Sequence, residues 1–578
     1  MNLHISDIVI IEYLAQFVNT MIKAKIKSII LQTIQKAFPD IEKFNFSVDY
    51  TDEKFGDYST NVALIMTKRV AQLRQGYDGR GERPEAIAKK LTAILSKNEI
   101  FETVEVASPS FINFKIALPY LQNQILEITQ AGDSYGNSDL GKDLKINVEF
   151  ISANPTGPLT LGNGRGGYSG DCLANILEAF GAEVEREYYI NDRGAQVVKL
   201  GHSVLSAKGG SAFGGKDDQA VYPHTKRFGE GVYRGKYIDD IASKITSKNP
   251  EKAGQEAAAI IMEGSIKKTI LKMGIKFDHW FSQSALYDGE IEHVLGILKN
   301  LGFCYEKDSA LWLKTSQFGD DKDRVLITEE KEFTYFASDI AYHWKKMSRG
   351  YNLLIDFWGA DHHGYVKRMQ AAIEILRQKN NWSGNLRILI AQLVRLMSKG
   401  QEIKMSKRLG TYVTLDELID EVGPDVTRFF FLERALNTHM DFDLDLGKER
   451  SEKNPVYYIQ YAHARIHSIL AKLKMQNANL KMTNQNVKLI KEKPETNLIK
   501  ELIKLPDIIV DTAEDYQVQR LPYYAIELAT KFHNFYEKCR VISDDENLTA
   551  ARIELIRATK IVLKKTLDLM GISSPEKM

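Results

Sequence analysis

Two stretches of the 578-residue chain combine residues that suit the binding of phosphates. Residues 152–167 contain two prolines and five glycines, which interrupt regular structure and let the backbone approach a ligand closely. Residues 401–408 form a short basic segment, in which Lys404 and Lys407 are three residues apart and Ser406 can donate a hydrogen bond. Lysines in a loop of this kind can stabilise the charge that grows on phosphates during a reaction. The charge pattern alone also allows a solvated basic loop with no such role.

A third stretch, Trp358–Gly364, has the composition of a turn that can contact a nucleoside. Gly359 and Gly364 allow the backbone to come close to a ligand. Asp361 can accept hydrogen bonds from ribose hydroxyls, and His362 can donate one. The same two side chains could be zinc ligands, but zinc needs further ligands at a defined spacing, and the sequence shows none. We therefore expect no protein-bound structural metal.

The elements around the first stretch have the pattern of a strand, a turn and a helix. Residues 146–151 alternate between apolar and polar positions, as a buried strand does. An apolar stripe that includes Cys172 predicts a helix that begins at Tyr168 and ends at Gly181. The next strand is predicted at Glu183–Ile190. This order places backbone amides and the positive end of a helix at the edge of a sheet.

Further strands and helices alternate along the middle of the chain. Strands are predicted at Tyr351–Trp358 and Leu386–Met397, with a helix at Tyr365–Arg377 between them. Alternation of this kind is typical of a doubly wound parallel sheet, whose ligands bind at the carboxyl ends of the strands. After Asn454 the pattern is helical to the end of the chain, and one of these helices is predicted at Asn497–Val510.

The basic segment resembles the KMSKS loop of class I aminoacyl-tRNA synthetases, and residues 152–167 resemble the HIGH motif of the same class. Three longer motifs are similar to those of arginyl-tRNA synthetases in particular: Asn154–Pro158, Tyr335–His343 and Trp358–Gly364. The motifs occur in the order that the family shows. The resemblance to the arginyl-tRNA synthetase family extends from about Met21 to Met578.

The resemblance implies a multidomain α/β protein. A class I catalytic domain, built on a Rossmann-like doubly wound parallel sheet, is expected at residues 142–446. An N-terminal α+β domain that contacts tRNA is expected before it, at residues 21–141. A C-terminal all-α anticodon-binding bundle is expected at residues 447–578, and residues 1–20 are interpreted as an extension.

The resemblance also implies an activity and its partners. ATP activates L-arginine to arginyl-adenylate, with Mg²⁺ accompanying ATP, and the arginine is transferred to the 2′-hydroxyl of the terminal adenosine of tRNA(Arg). A guanidinium keeps its charge when buried and pairs best with planar carboxylates. Asp339 is the first choice for that partner, whereas Glu149 could hold either the guanidinium or the α-amino group.

The family motifs assign roles to residues of this chain in four groups. The catalytic group is Thr160, Gly162, Asn163, Lys404, Ser406 and Lys407. The ATP-binding group is Pro158, Gly162, Asn163, Gly359, Asp361, His362 and Met405. The arginine-binding group is Glu149, Ser152, Asn154, Tyr335 and Asp339. The tRNA-binding group is Tyr457, Tyr461 and Arg465, since bases of single-stranded RNA can stack on aromatic rings and guanidinium planes.

One motif departs from the family, because Thr160 and Asn163 stand where two histidines are usual. Asn163 can still donate a hydrogen bond to a phosphate oxygen, but such a neutral donor is weaker than an imidazolium by about 1 kcal/mol. Two other functions therefore stay open. The chain could be a non-catalytic paralogue that binds tRNA as a scaffold, or a class I synthetase for another amino acid. The basic segment and both tRNA-contacting domains favour the arginine enzyme.

Composition and charge fit a protein of this class. Hydrophobic residues make up 44% and charged residues 26% of the chain, as in soluble globular proteins. The net charge of +1 leaves tRNA to be bound by local basic patches. Three isolated cysteines exclude a disulfide framework and indicate a reducing compartment. We expect a cytoplasmic monomer with no signal peptide and no membrane span.

Replacing Lys404 or Lys407 with alanine is expected to slow amino-acid activation more than it weakens ATP binding. Their charges matter most as pyrophosphate departs, so their loss affects the transition state more than the ground state. Pyrophosphate exchange measures the rate, and equilibrium titration measures the ATP dissociation constant. Equal losses in rate and in binding would show that the lysines act on the ground state instead.

Overall fold

The computed structural model describes six segments of the chain, namely residues 21–41, 44–73, 83–208, 233–403, 414–475 and 485–578. The extension predicted at residues 1–20 lies outside these segments. The four site residues predicted in the basic segment, Lys404, Met405, Ser406 and Lys407, also lie outside the described residues. Three structural units follow one another along the described chain.

The N-terminal unit packs helices on a four-stranded antiparallel sheet with the strand order β1-β2-β4-β3. Its strands are β1 (Val48–Tyr50), β2 (Tyr58–Thr60), β3 (Phe101–Ala107) and β4 (Phe111–Ile116). Its helices are α1 (Ile22–Ala37), α2 (Val62–Leu73), α3 (Pro84–Leu95) and α4 (Leu118–Ala131). Pro84 occupies the first position of α3, where its missing N–H costs no hydrogen bond.

The second unit alternates strands and helices. Its strands are β5 (Lys145–Glu149), β6 (Glu183–Ile190), β7 (His279–Ser282), β8 (Cys304–Lys307), β9 (Ala310–Leu313), β10 (Arg324–Ile327), β11 (Leu353–Gly359), β12 (Asn385–Ala391), β13 (Val394–Ser398), β14 (Gln401–Glu402) and β15 (Met440–Asp443). Its helices are α5 (Leu161–Ala179), α6 (Ala195–Lys208), α7 (Lys236–Ala242), α8 (Pro250–Ile261), α9 (Lys267–Lys272), α10 (Glu290–Asn300), α11 (Tyr335–Ser348), α12 (Val366–Asn380), α13 (Leu415–Val422), α14 (Pro424–Leu432) and α15 (Leu444–Lys448). The predicted strand at Glu183–Ile190 has the predicted bounds.

Five strands of this unit form a parallel sheet in the order β12-β11-β5-β6-β7. The chain runs from the central strand β5 towards β7 on one side, and then crosses to β11 and β12 on the other. A crevice for a ligand opens at such a reversal of strand order, at the carboxyl ends of the strands. The predicted multidomain α/β fold with a doubly wound parallel sheet is confirmed.

The prediction of one strand at Leu386–Met397 is wrong, because β12 ends at Ala391 and β13 begins at Val394. The two residues between them turn the chain out of the parallel sheet, and β13 pairs with β14 and β15 instead. Arg165 of α5 donates to the carbonyls of both turn residues, at 3.3 and 3.4 Å. The turn is therefore stabilised by a distant side chain, which a local apolar pattern does not show.

Helix α5 is longer than predicted, since it begins at Leu161 rather than at Tyr168. The added turns contain four glycines, which have low helix propensity and concealed the true start of the helix. They allow close packing: a Cβ atom at Gly164 would lie 2.7 Å from a side-chain carbon of Leu415. Gly181 follows the end of the helix with a φ of +104°, as its predicted cap position requires.

The C-terminal unit is a bundle of α-helices over the described residues. Its helices are α16 (Pro455–Met475), α17 (Lys493–Leu502), α18 (Leu505–Asp515), α19 (Arg520–Lys538) and α20 (Glu546–Met570). The single helix predicted at Asn497–Val510 is wrong. Two helices occupy this stretch, because Pro506 lies in the first turn of α18 and cannot continue α17.

The three units share one continuous cluster of buried apolar side chains. Helix α20 packs against both α4 and α5, so the end of the chain contacts the two units before it. At this junction Arg428 of α14 pairs with Asp171 of α5 and donates to the carbonyl of Gly571 at 3.1 Å. Asn175 of α5 donates to the carbonyl of Leu569 at 3.1 Å. Arg428 thus connects a buried carboxylate of the second unit to the backbone of the C-terminal unit.

Replacing Arg428 with methionine is expected to lower the free energy of unfolding by about 2–4 kcal/mol, because the buried carboxylate of Asp171 keeps only its longer pair with Arg186, at 3.5 Å. Urea unfolding followed by tryptophan fluorescence measures the effect. The matched control is Lys89→Met, which removes an exposed pair with Glu85 and should cost less than about 1 kcal/mol. Equal costs for the two variants would contradict the role of the buried pair.

Candidate active site

Thr160 and Asn163 form a capping box at the start of α5. The Oδ1 atom of Asn163 accepts hydrogen bonds from the backbone N–H of Thr160 at 2.9 Å and from its hydroxyl at 2.8 Å. Because the cap uses the amide oxygen, the Nδ2 group of Asn163 is left to donate to a ligand. Gly162 lies exposed between them. The first turn of α5 can therefore offer both backbone N–H groups and a side-chain donor to a phosphate.

Described residues flank the basic segment on both sides. Before it, the N–H of Ile403 donates to the carbonyl of Leu396 in β13 at 2.8 Å. After it, the N–H of Leu415 donates to the carbonyl of Leu159 at 3.0 Å. Leu159 and the half-buried Pro158 belong to the loop that leads into α5. The described residues on the two sides of the basic segment are thus attached to β13 and to the loop before α5.

Helix α11 carries Tyr335 and Asp339 one turn apart, as predicted. The Oδ2 atom of Asp339 accepts a hydrogen bond from the hydroxyl of Tyr365 at 2.7 Å. Burial raises the pKa of the Asp339 carboxyl, against the effect of this hydrogen bond. Within the described residues Asp339 has no ion-pair partner. A carboxylate in these surroundings would be stabilised by a cationic ligand.

Three more residues of the predicted arginine group lie beside the start of α6 and the end of β6. The hydroxyl of Tyr335 accepts a hydrogen bond from the backbone N–H of the first residue of α6 at 3.0 Å. The Nδ2 group of Asn154 donates to Gln196 in the same turn at 3.0 Å. The hydroxyl oxygen of Ser152 accepts from the backbone N–H of Tyr189 at 3.1 Å. The loop after β5 is therefore connected to α11 through α6.

The fifth residue of that group, Glu149, belongs to a buried charge cluster. The Nζ atom of Lys346 donates to Glu149 on β5 at 2.5 Å and to Asp356 on β11 at 2.8 Å. His343 places Nε2 at 2.8 Å from the Asp356 carboxylate and Nδ1 at 2.7 Å from the carbonyl of Asp339. A ring with an acceptor at each nitrogen carries both protons and a positive charge. The buried charge cluster, Glu149, His343, Lys346 and Asp356, thus balances two positive and two negative charges.

Opposite charges compensate the burial of this cluster. Burial by itself raises the pKa of a carboxyl group, but Lys346 and His343 hold the pKa of Asp356 below its usual range. Burial also raises the pKa of Glu149, and Lys346 offsets only part of that effect. Within the described residues, Oε1 of Glu149 has no hydrogen bond. Glu149 is therefore fixed through one oxygen, and its other oxygen is available to a substrate.

The turn after β11 is exposed. The side chains of Asp361 and His362 are 83% and 57% exposed, and they lie 3.6 Å apart. The turn needs glycine at position 359, since a Cβ atom there would lie 2.6 Å from the carboxylate of Asp361. The ring of His362 packs edge-on against Tyr365, the residue that donates to Asp339. One tyrosine thus connects the predicted ATP-binding turn to the predicted arginine carboxylate.

The three predicted tRNA-binding residues form one face of α16. The rings of Tyr457 and Tyr461 lie 6.5 Å apart and nearly parallel, at 8°. The guanidinium of Arg465 lies 5.8 Å from the ring centre of Tyr461 and 4.7 Å from that of Tyr536. Tyr461 is 39% exposed. This face offers stacked rings and a cation to an unpaired base.

Sequence reasoning missed His343, Lys346 and Asp356. Asp339, His343 and Lys346 recur at intervals of four and three residues on α11, so a search for polar residues on one helix face would have found them. Asp356 is a single charge inside the apolar run of β11, which also signals a buried partner. No family motif was needed to find either signal.

The described residues were considered as metal ligands and as membrane-spanning helices. No group of three or more His, Cys, Asp or Glu side chains among them could hold a metal ion. Among the described helices, none combines the length and the apolar character that crossing a membrane requires.

Family comparisons match all three units of the chain. The arginyl tRNA synthetase N terminal domain matches residues 24–116, and the class I (R) tRNA synthetase catalytic domain matches residues 124–436. The DALR anticodon binding domain matches residues 459–578. The matched order is the order of the units in the structure.

Individual relatives cover nearly the whole chain. The arginine–tRNA ligase of Aquifex aeolicus is 38% identical over 96% of this chain and 100% of its own. That of Carboxydothermus hydrogenoformans is 41% identical over 98% of this chain and 100% of its own. The solved structure of Thermus thermophilus arginyl-tRNA synthetase has the same fold, with a TM-score of 0.75 at 20% identity over 96% of this chain and 100% of the other. The chain belongs to the arginyl-tRNA synthetase family of class I.

Proposed function

We propose that this protein is an active arginine–tRNA ligase. It uses ATP to activate L-arginine to arginyl-adenylate, and it transfers the arginine to the 2′-hydroxyl of the terminal adenosine of tRNA(Arg). Mg²⁺ enters with ATP as part of that substrate. The protein acts as a monomer in the cytoplasm.

The observation that carries the proposal is the buried carboxylate of Asp339, which forms no ion pair among the described residues. A guanidinium supplies a permanent charge and a planar set of donors that fit a carboxylate. Helix α11 brings two further groups to the same part of the sheet as Asp339. Tyr335 precedes Asp339 by one turn on this helix, and Lys346 of the helix pairs with Glu149, whose second oxygen is free among the described residues. These groups favour arginine over the neutral or acidic amino acids that other class I enzymes use.

The reaction brings the carboxylate of arginine to the α-phosphate of ATP. Asp339 holds the guanidinium, so that the carboxylate end of the substrate points back towards the crevice. The N-terminus of α5 and the Nδ2 group of Asn163 donate to phosphate oxygens, and Lys404 and Lys407 stabilise the charge on the departing pyrophosphate. Asp361 accepts hydrogen bonds from the ribose. The residues thus position two anions and stabilise growing charge rather than exchange protons.

Two alternatives predict different results. A scaffold paralogue would bind tRNA but would not catalyse exchange, and a synthetase for another amino acid would charge tRNA with that amino acid. The intact cap at Asn163 speaks against the scaffold, because it leaves the amide donor free at the helix start. The unpaired Asp339 speaks against a neutral substrate.

The test is aminoacylation of total tRNA with each labelled amino acid, followed by kinetics with arginine. Wild type should charge arginine alone, and Asp339→Asn should raise the KM for arginine about 10–100-fold while the KM for ATP stays within about twofold. The matched control is Asp321→Asn, which removes an exposed carboxylate and should behave as wild type. A folded, tRNA-binding wild type that charges nothing would refute the proposal. An unchanged arginine KM in Asp339→Asn would refute only the role of Asp339.

Asn163 allows a second test, because its two amide atoms have separate tasks. Asn163→Asp keeps an oxygen for the cap but removes the Nδ2 donor and adds a negative charge near the phosphates. We expect it to lose about 100-fold or more in the rate of activation without loss of thermal stability. Asn163→Ala should lose both rate and stability, and Asn163→His should keep or raise the rate. Single-turnover arginylation and thermal melting measure the two effects. An Asn163→Asp variant as fast as wild type would show that the donor is not used.

A further inference from the structure

A buried tyrosine beside the proposed arginine site has no task in the free protein. Tyr189 is the penultimate residue of β6 and is 8% exposed. Its ring packs against Tyr342 of α11, with centres 4.4 Å apart, and against Phe281 of β7, with centres 6.1 Å apart and planes at 10°. Its backbone N–H donates to the hydroxyl of Ser152. Packing and hydrogen bonding therefore hold the ring in one position.

The hydroxyl of Tyr189 is buried, and it has no hydrogen-bond partner among the described residues. A buried hydroxyl without a partner destabilises a protein, so such groups are rare. The neighbouring Tyr342 shows the usual arrangement, since its hydroxyl donates to Glu187 at 2.7 Å. The missing hydrogen bond of the Tyr189 hydroxyl therefore needs an explanation.

Tyr189 lies beside the proposed arginine-binding group, since its backbone N–H donates to Ser152 and its ring packs against Tyr342, which follows Asp339 by three residues on α11. Burial raises the pKa of its hydroxyl, and the charges of Asp339 and Glu149 raise it further. The hydroxyl therefore stays protonated and keeps an oxygen lone pair free to accept. Asp339 and Glu149 are the carboxylates that the proposed function gives to arginine.

We propose, on the basis of the proposed arginine substrate, that the hydroxyl oxygen of Tyr189 accepts a hydrogen bond from the guanidinium of bound arginine. A guanidinium has five N–H donors in one plane, and one carboxylate can take only two of them. Asp339 has already given one oxygen to Tyr365, so further acceptors are required. Tyr189 supplies one from the end of β6. It is a specificity residue for arginine.

The orphan state of the hydroxyl predicts an unusual combination of effects. In most buried tyrosines, loss of the hydroxyl breaks a hydrogen bond and lowers stability. In Tyr189→Phe the folded protein loses no hydrogen bond within the described residues, so its melting temperature should stay the same or rise. The bound state loses an acceptor for a charged donor, so the binding of arginine alone should weaken. A purely structural role would not give this combination.

The test compares wild type, Tyr189→Phe and Tyr135→Phe. Tyr135 is the matched control because its hydroxyl is also buried without a partner among the described residues, but it lies after α4, away from the crevice. Tyr189→Phe should raise the arginine dissociation constant and the KM for arginine about tenfold or more. The KM for ATP and the KM for tRNA should match those of wild type, and the melting temperature should be the same or higher. Tyr135→Phe should leave the binding of arginine unchanged.

The outcomes separate this inference from the proposed function. If wild type binds arginine and Tyr189→Phe binds it equally well, the inference is overturned and the function stands. If Tyr189→Phe loses stability, and the constants for arginine and ATP worsen alike, Tyr189 is structural and the inference is also overturned. If wild type binds no arginine in equilibrium titration and charges none, both the function and the inference fall. Equilibrium titration gives this answer whether or not the preparation catalyses the reaction.

Discussion

Lys346 is fully buried, and its ion pairs hold α11 on the parallel sheet. Lys346 pairs with Glu149 of β5 and Asp356 of β11, and His343 of the same helix adds a second positive charge. Removing any one of these charges would leave the buried cluster with an unbalanced charge, which is far more costly than losing a surface pair. Helix α11 can therefore sit on the sheet in one place. The position of α11 on the sheet fixes the positions of Tyr335 and Asp339.

The proposed ATP site and the proposed arginine site are connected to each other. Tyr365 lies at the end of the turn that carries Asp361, and its hydroxyl reaches Asp339. Leu415 returns the chain from the basic segment to the loop before α5. Tyr365 therefore links the proposed ribose-binding turn to the proposed arginine carboxylate. Pre-positioning of this kind lowers the cost of bringing two anions together.

Local sequence patterns predicted the fold class and many helices and strands. They failed where contacts between residues far apart in the sequence determine the bounds of an element. The bounds of β6 followed from its own residues. The start of α5 did not, because glycines that disfavour a helix are required there for Leu415 to pack closely. The separation of β12 from β13 depends on Arg165, more than two hundred residues earlier in the chain.

The candidate site shows the same division. The donor role of Asn163 could be inferred from its chemistry, and the capping box gives that inference a geometric basis. The pairing of Glu149 with Lys346 could not, since it joins residues 197 positions apart. Tyr189 gave no signal at all in the sequence, because its significance lies in a hydrogen bond that is missing. Such an absence is visible only in three dimensions.

The contact between the last residues of the chain and α5 has a consequence for synthesis of the protein. Asn175 bonds to a carbonyl 394 residues later, and Arg428 joins Asp171 to Gly571. While the ribosome is still translating the C-terminal unit, Leu569 and Gly571 have not yet been synthesised, so α5, the helix at the proposed ATP site, lacks part of its packing. A chain cut short before these residues therefore lacks contacts to α5 as well as the end of the region that matches the anticodon binding domain. Truncation thus affects two units of the protein at once.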